Sequence, residues 1–173
     1  MSTANLTLTD KIASNIWSVF GLGHIPVFPS FWGALAALPV SQLLLHLGWR
    51  WYLAVYLVVF LLAWLAVSRS LKLAAPEQPR VVVDKFLGYL TTMFFVPQYS
   101  FLRWPWLWGL FLFLLLEAVG GLFLKARERK PDKGAHILVD DVVCGILACL
   151  AMWVVAAMHN LLQGDFVPAI LAQ

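Results

Sequence analysis

Trp51-Tyr52-Leu53-Ala54-Val55-Tyr56-Leu57-Val58-Val59-Phe60-Leu61-Leu62-Ala63-Trp64-Leu65-Ala66-Val67 runs without a charge, a glycine or a proline before Ser68 and Arg69 end it. As a helix rising 1.5 Å per residue, this run covers about 25 Å, close to the hydrocarbon thickness of a bilayer. It is apolar on every face, so it fits surroundings that are apolar on all sides and lacks the alternation of a half-buried strand. Four further apolar segments flank it. Phe31 to Leu47 contains Pro39 and is expected to be kinked or re-entrant. Val81 runs to a stop at Pro97, Trp104 to Leu124, and Ile137 to about Leu162. The expected fold class is therefore all-α: an integral membrane protein with a compact bundle of about five transmembrane helices, in a single domain over 1–173. Composition agrees, with 62% hydrophobic and 12% charged residues, and nine Trp and twelve Phe in 173 residues. That balance leaves little room for a separate soluble domain and offers no nucleic-acid surface.

The first 20 residues are polar and then amphipathic and lack the pattern of a cleaved signal peptide, so they are expected to remain as an interfacial segment. Trp49, Trp51, Trp104, Trp106 and Trp108 gather at segment ends, where aromatic rings favour the headgroup level. Cys144 and Cys149 are five apart, on different helix faces, and read as packing residues. Basic residues set the orientation. With five spans, Lys11, Arg69, Lys72, Arg80, Lys125, Arg127, Arg129, Lys130 and Lys133 fall on one side and only Arg50 and Arg103 on the other. Because Lys- and Arg-rich short loops stay cytoplasmic, the N-terminus of this multi-pass chain is expected inside. The 125–133 loop would also attract anionic headgroups.

This topology collects the intramembrane acids at one face. Asp84 starts the third segment, Asp140 and Asp141 start the fifth, and Glu117 lies seven residues before the cytoplasmic end of the fourth, roughly 10 Å deep. Ionisable groups at such positions are costly and mark function by default. Carboxylates from separate helices are the hard-oxygen ligands Mg²⁺ prefers, together with a substrate's phosphates. A metal-assisted reaction on a phosphate headgroup is the chemistry they suggest. The plainer alternative is that Asp84 and the Asp140–Asp141 pair stabilise helix N-termini through the dipole. Gly21-Leu22-Gly23-His24-Ile25-Pro26-Val27-Phe28-Pro29, with Gly33 beyond, forms a loop at the same face. Its glycines allow close backbone approach to a ligand and its prolines fix its shape. His24 reads as an interfacial hydrogen-bonding residue, since no other His lies at ligand spacing.

The order Gly-Leu-Gly-x-x-Pro-x-x-Pro with Gly33, then Asp84-x-x-x-Gly88, then Gly134 with Asp140-Asp141-x-x-x-Gly145, resembles the phosphatidylglycerophosphatase A family from about Trp17 to the end. The resemblance implies a small helical membrane enzyme that uses Mg²⁺ to remove the terminal phosphate of phosphatidylglycerophosphate at the cytoplasmic leaflet. It implies metal ligation by Asp84, Asp140 and Asp141, and a headgroup site shaped by Gly21, Gly23, Pro26 and Pro29. Asp141, Glu117 and Lys85 are the expected catalytic residues, with Lys85 also on the phosphate. Several positions depart from the family pattern. Ser30-Phe31 stands for Gly-Thr, Lys85 for Glu, and Leu114, Glu117, Gly120 and Gly121 for Arg, Asp, Lys and Pro. Losing Arg and Lys removes charge-assisted phosphate contacts, which Lys125 and Arg127 could replace. Two readings follow: a lipid phosphatase acting on a membrane phospholipid, or a catalytically degenerate relative serving as an accessory subunit with membrane protein partners.

Overall fold

The computed structural model describes residues 12, 15–16, 18–25, 27–70, 82–94, 96, 104–125 and 134–163. These form five α-helices: α1 Pro29–Leu47, α2 Trp49–Ser70, α3 Val83–Met93, α4 Pro105–Lys125 and α5 Gly134–Gln163, with a 3-10 turn at Leu22–His24 ahead of them. No strand occurs among the described residues. Three helices are long and apolar enough to cross a membrane: Pro29–Leu47, Trp49–Ser68 and Leu138–His159, while α4 carries a shorter apolar stretch, Pro105–Gly120. The basic loops used for orientation, most of the first 20 residues, and Pro26 lie outside the described residues.

Helix α1 starts on Pro29, whose fixed φ suits a first helical position, and continues unbroken through Pro39. It is one 19-residue helix, so the re-entrant alternative does not hold. Pro39 is exposed, and two residues on the Ser41 hydroxyl donates to the Leu38 carbonyl at 2.7 Å. Gly48 alone separates α1 from α2, closing α1 with φ 90°.

The third segment differs from expectation. In place of a helix from Val81 to Pro97, α3 has 11 residues, about 16 Å, too short to span. Its last turn carries two side-chain bonds of its own. Thr91 and Thr92 turn their hydroxyls back onto the carbonyls of Leu87 and Gly88, and the last turn tightens as the Phe94 amide bonds to Thr91. Most of α3 is buried, including Val83, Asp84, Leu87, Gly88, Tyr89, Leu90, Thr92 and Met93. The other helices are arranged around it.

Two apolar clusters show how the chain runs. One joins the end of α2 (Ala63, Ala66, Val67) to the start of α3 (Val82, Val83, Leu87), to Leu138 of α5 and to Val19 before α1. The other joins Leu44 of α1 and Tyr52 of α2 to Met93, Leu110 and Met152. Thus α1, α3 and α5 start at the end of the bundle where α2 and α4 finish, which makes α3 and α5 parallel.

Glycines decide how closely these helices meet. A Cβ on Gly145 would overlap the Gly88 carbonyl oxygen, and one on Gly88 would strike the Phe113 ring and, at 2.8 Å, the Asp141 carbonyl oxygen. On α1, a Cβ at Gly33 would collide with Val82 and sit 3.2 Å from the Lys85 Cβ. Any larger residue at these places forces the backbones apart.

Candidate functional site

Asp84 and Gly88 are four residues apart on α3, as are Asp141 and Gly145 on α5, so each pair shares one helix face. Since the two parallel helices touch through Gly88 and Gly145, the aspartates one turn earlier are brought side by side. Both are almost completely buried. The next residue on α3, Lys85, extends its ammonium between them. Its Nζ lies 3.2 Å from Asp84 Oδ2 and 2.5 Å from Asp141 Oδ2, and 3.3 Å from Glu117 Oε1 of α4. The Asp84 carboxylate also accepts the Lys85 backbone amide at 2.8 Å, which fixes its rotamer at the helix start. At the other side, the Ser30 hydroxyl in the first turn of α1 donates to Glu117 Oε1 at 2.9 Å.

Four helices therefore meet in one polar network of Ser30, Asp84, Lys85, Glu117 and Asp141. All four ionisable side chains are mostly enclosed, with exposures of 6 to 19%. Charges removed from water to this degree need partners, and each here has one. Glu117 and Ser30 also face an open-sided cavity of about 800 Å³, walled by Phe28, Pro29, Phe31, Leu114 and Ala118. The cavity is largely apolar and reaches the ionic network only through Ser30 and Glu117.

The expected site residues thus separate into groups. Asp84, Asp141, Glu117 and Lys85 converge. Asp140 is half-buried beside Asp141, a step of about 100° around the α5 axis, and the Lys85 ammonium reaches Asp141 rather than Asp140. Pro29 lines the cavity. Gly21 and Gly23 belong to the loop at the same end of the bundle. Gly21 takes the left-handed φ of 95° and its amide bonds to the Ser18 hydroxyl, while Gly23 is buried and bonds to the Ser18 carbonyl. Val19, Phe20 and Phe28 also have positive φ, so this loop concentrates backbone strain of a kind often stored at functional sites. Pro26 falls outside the described residues. Lys85 was expected on the substrate phosphate. An ammonium has three donors, and here they face three carboxylates.

Mg²⁺, which the sequence suggests, can be tested against this donor set. The oxygens are of the right kind, but those of Asp84, Glu117 and Asp141 that converge do so on Lys85. Among the described residues, no group of three or more His, Cys, Asp or Glu is placed to hold a metal ion. As arranged, the carboxylates fit an ammonium and not a divalent cation. Sequence reasoning missed Ser30 as a participant. A serine after the Pro29 helix start carries no signal that it will meet a carboxylate 87 residues away.

The profile of the family described as Phosphatidylglycerophosphatase A matches residues 15–156. Phosphatidylglycerophosphatase A of Escherichia coli strain K12 is 28% identical over 141 residues, covering 78% of this chain and 80% of the relative. That of Haemophilus influenzae is 27% identical over 139 residues, covering 79% and 83%. No solved structure matches the chain. The matched region contains the Asp-x-x-x-Gly pair, Lys85 and Glu117, and the chain belongs to the phosphatidylglycerophosphatase A family.

Proposed function

We propose that the protein is a membrane phosphatase that hydrolyses the terminal phosphomonoester of phosphatidylglycerophosphate or a related lipid phosphate. The observation carrying this reading is the junction of an apolar, open-sided cavity with a buried ionic network, at Ser30 and Glu117. An acyl chain suits the cavity wall, and a phosphate headgroup suits the polar end. Family membership supports the substrate class.

In this reading, Glu117 is the base, since it is the carboxylate of the network that lines the cavity. It takes a proton from a water whose oxygen forms a bond to phosphorus as the bond from phosphorus to the glycerol oxygen breaks. The proton then passes to the departing alkoxide, giving the lipid alcohol and inorganic phosphate. Lys85, held by Asp84 and Asp141, orients Glu117 from behind, and Ser30 fixes it from the α1 side. No step is assigned to Mg²⁺.

The segment ends carrying the network are proposed to face the cytoplasm of a bacterial inner membrane, because the excess of Lys and Arg falls on that side. A second reading, an accessory subunit without turnover, is favoured by one observation: Lys85 engages one oxygen each of Asp84 and Asp141, two of the three carboxylates expected to hold a catalytic metal. Phosphate release from phosphatidylglycerophosphate and a panel of lipid phosphates separates the two. The phosphatase reading predicts turnover that falls at least about 100-fold in Asp141→Asn and Glu117→Gln. No turnover by the wild type on any of these lipids leaves the subunit reading standing.

A further inference from the structure

We infer that Lys85 is the resident cation of this site, and that a divalent metal competes with its ammonium for the carboxylates of Asp84 and Asp141. Three helices deliver carboxylate oxygens to one point, and the Nζ of Lys85 occupies it at 2.5 to 3.3 Å. The contacts to Asp84 and Glu117 are ordinary ion-pair distances, and the contact to Asp141 is at least as close as a charge-assisted hydrogen bond. An oxygen that faces the ammonium is a poorer metal ligand, since a divalent ion beside an ammonium brings two like charges together.

Placement of the lysine is not adjustable in the way of a surface side chain. Its Cα sits in the first turn of a buried helix, a Cβ on Gly33 of α1 would lie only 3.2 Å from its own Cβ, and the Asp84 side chain is anchored to its own amide. The ammonium is also tethered, so its effective concentration at the carboxylates is far above that of a free ion. Once ionised, three carboxylates against one ammonium leave the cluster negative. Removing Lys85 leaves all three without a counter-charge, and such a cluster of hard oxygens then recruits a cation from solution.

The test uses the full-length protein in detergent with Mn²⁺ alone as probe, read by electron paramagnetic resonance of free Mn²⁺ and by thermal unfolding. Wild type is expected to bind Mn²⁺ weakly and to unfold at nearly the same temperature with and without it. Lys85→Gln is expected to bind at least about tenfold more tightly, a gain of about 1.4 kcal/mol, and to be stabilised by the ion. Lys85→Arg, which keeps the charge, should show no gain. Asp141→Asn in the Lys85→Gln background should remove it. Saturable wild-type binding as tight as that of Lys85→Gln and abolished by Asp141→Asn overturns the inference. So does a Lys85→Gln protein that folds and gains nothing. If Lys85→Gln does not fold, the wild-type titration decides alone: saturable Mn²⁺ binding that Asp141→Asn abolishes overturns the inference, and weak binding that Asp141→Asn leaves unchanged supports it. The inference does not rest on the proposed hydrolysis: a wild type without turnover leaves it intact, and one that turns over yet binds Mn²⁺ tightly at Asp141 sinks it alone.

Discussion

Helix α2 and helix α3 have opposite relations between hydrophobicity and burial. Helix α2 is 22 residues of almost unbroken apolar sequence, yet Leu57, Val58, Leu61, Leu62 and Leu65 are exposed on its surface. Helix α3 is half as long, carries Asp84, Lys85, Tyr89, Thr91 and Thr92, and is the most enclosed helix of the bundle. In a soluble protein the more polar helix would lie outside. Three helices are long and apolar enough to cross a membrane, and the arrangement is the one expected where lipid takes the place of water: apolar surface is then cheap, and polar groups gain by withdrawing among partners. Hydrophobicity therefore marks where this chain meets its surroundings, and polarity marks its centre.

The sharpest way to break this contrast is to push α3 away from its neighbours. Gly145→Val places atoms where the Gly88 carbonyl already lies, and is expected to cost more than about 3 kcal/mol or to prevent folding, as read by size-exclusion profile and thermal unfolding in detergent. Next comes the loss of the counter-charge. Lys85→Met leaves Asp84, Glu117 and Asp141 unpaired while mostly enclosed, and about 3 to 5 kcal/mol of destabilisation is expected in the same assay. A smaller effect is expected at the far end of α3, where the Tyr52 hydroxyl donates to the Leu90 carbonyl at 2.8 Å. Tyr52→Phe should cost about 1 kcal/mol. The least effect belongs to the outer face of α2. Leu57→Ala is expected to change stability by no more than about 0.5 kcal/mol, and a loss near that of a core leucine would contradict the description of this face.

Much of this was legible before any coordinates. The number of helices followed from the apolar segments, and their alternating direction placed Asp84, Glu117 and Asp141 at one end, where the network lies. The spacing of Asp84 from Gly88 and Asp141 from Gly145 contained the contact geometry, because a four-residue step keeps both on one helix face. What was not legible depended on meetings between distant residues. The length of α3 was overestimated because Val81 to Pro97 is apolar enough to continue, whereas the helix stops at Met93, its last turn tightening as the Phe94 amide bonds to Thr91. That Lys85, expected on the substrate phosphate, is also engaged by three carboxylates, two of them on other helices, has no local signal. Ser30 gave no hint of Glu117.

The central claim is that Lys85 and Asp141, 56 residues apart, are partners in one enclosed ionic network at the crossing of α3 and α5. A double-mutant cycle tests it most directly, with thermal or denaturant unfolding measured for wild type, Lys85→Met, Asp141→Asn and the double variant. If the two side chains are paired, removing both leaves one fewer orphaned charge than removing Lys85 alone, and the double variant should be more stable than the sum of the single effects by about 1 to 3 kcal/mol. Strict additivity would mean that the ammonium and the carboxylate do not meet, and would contradict the site described above.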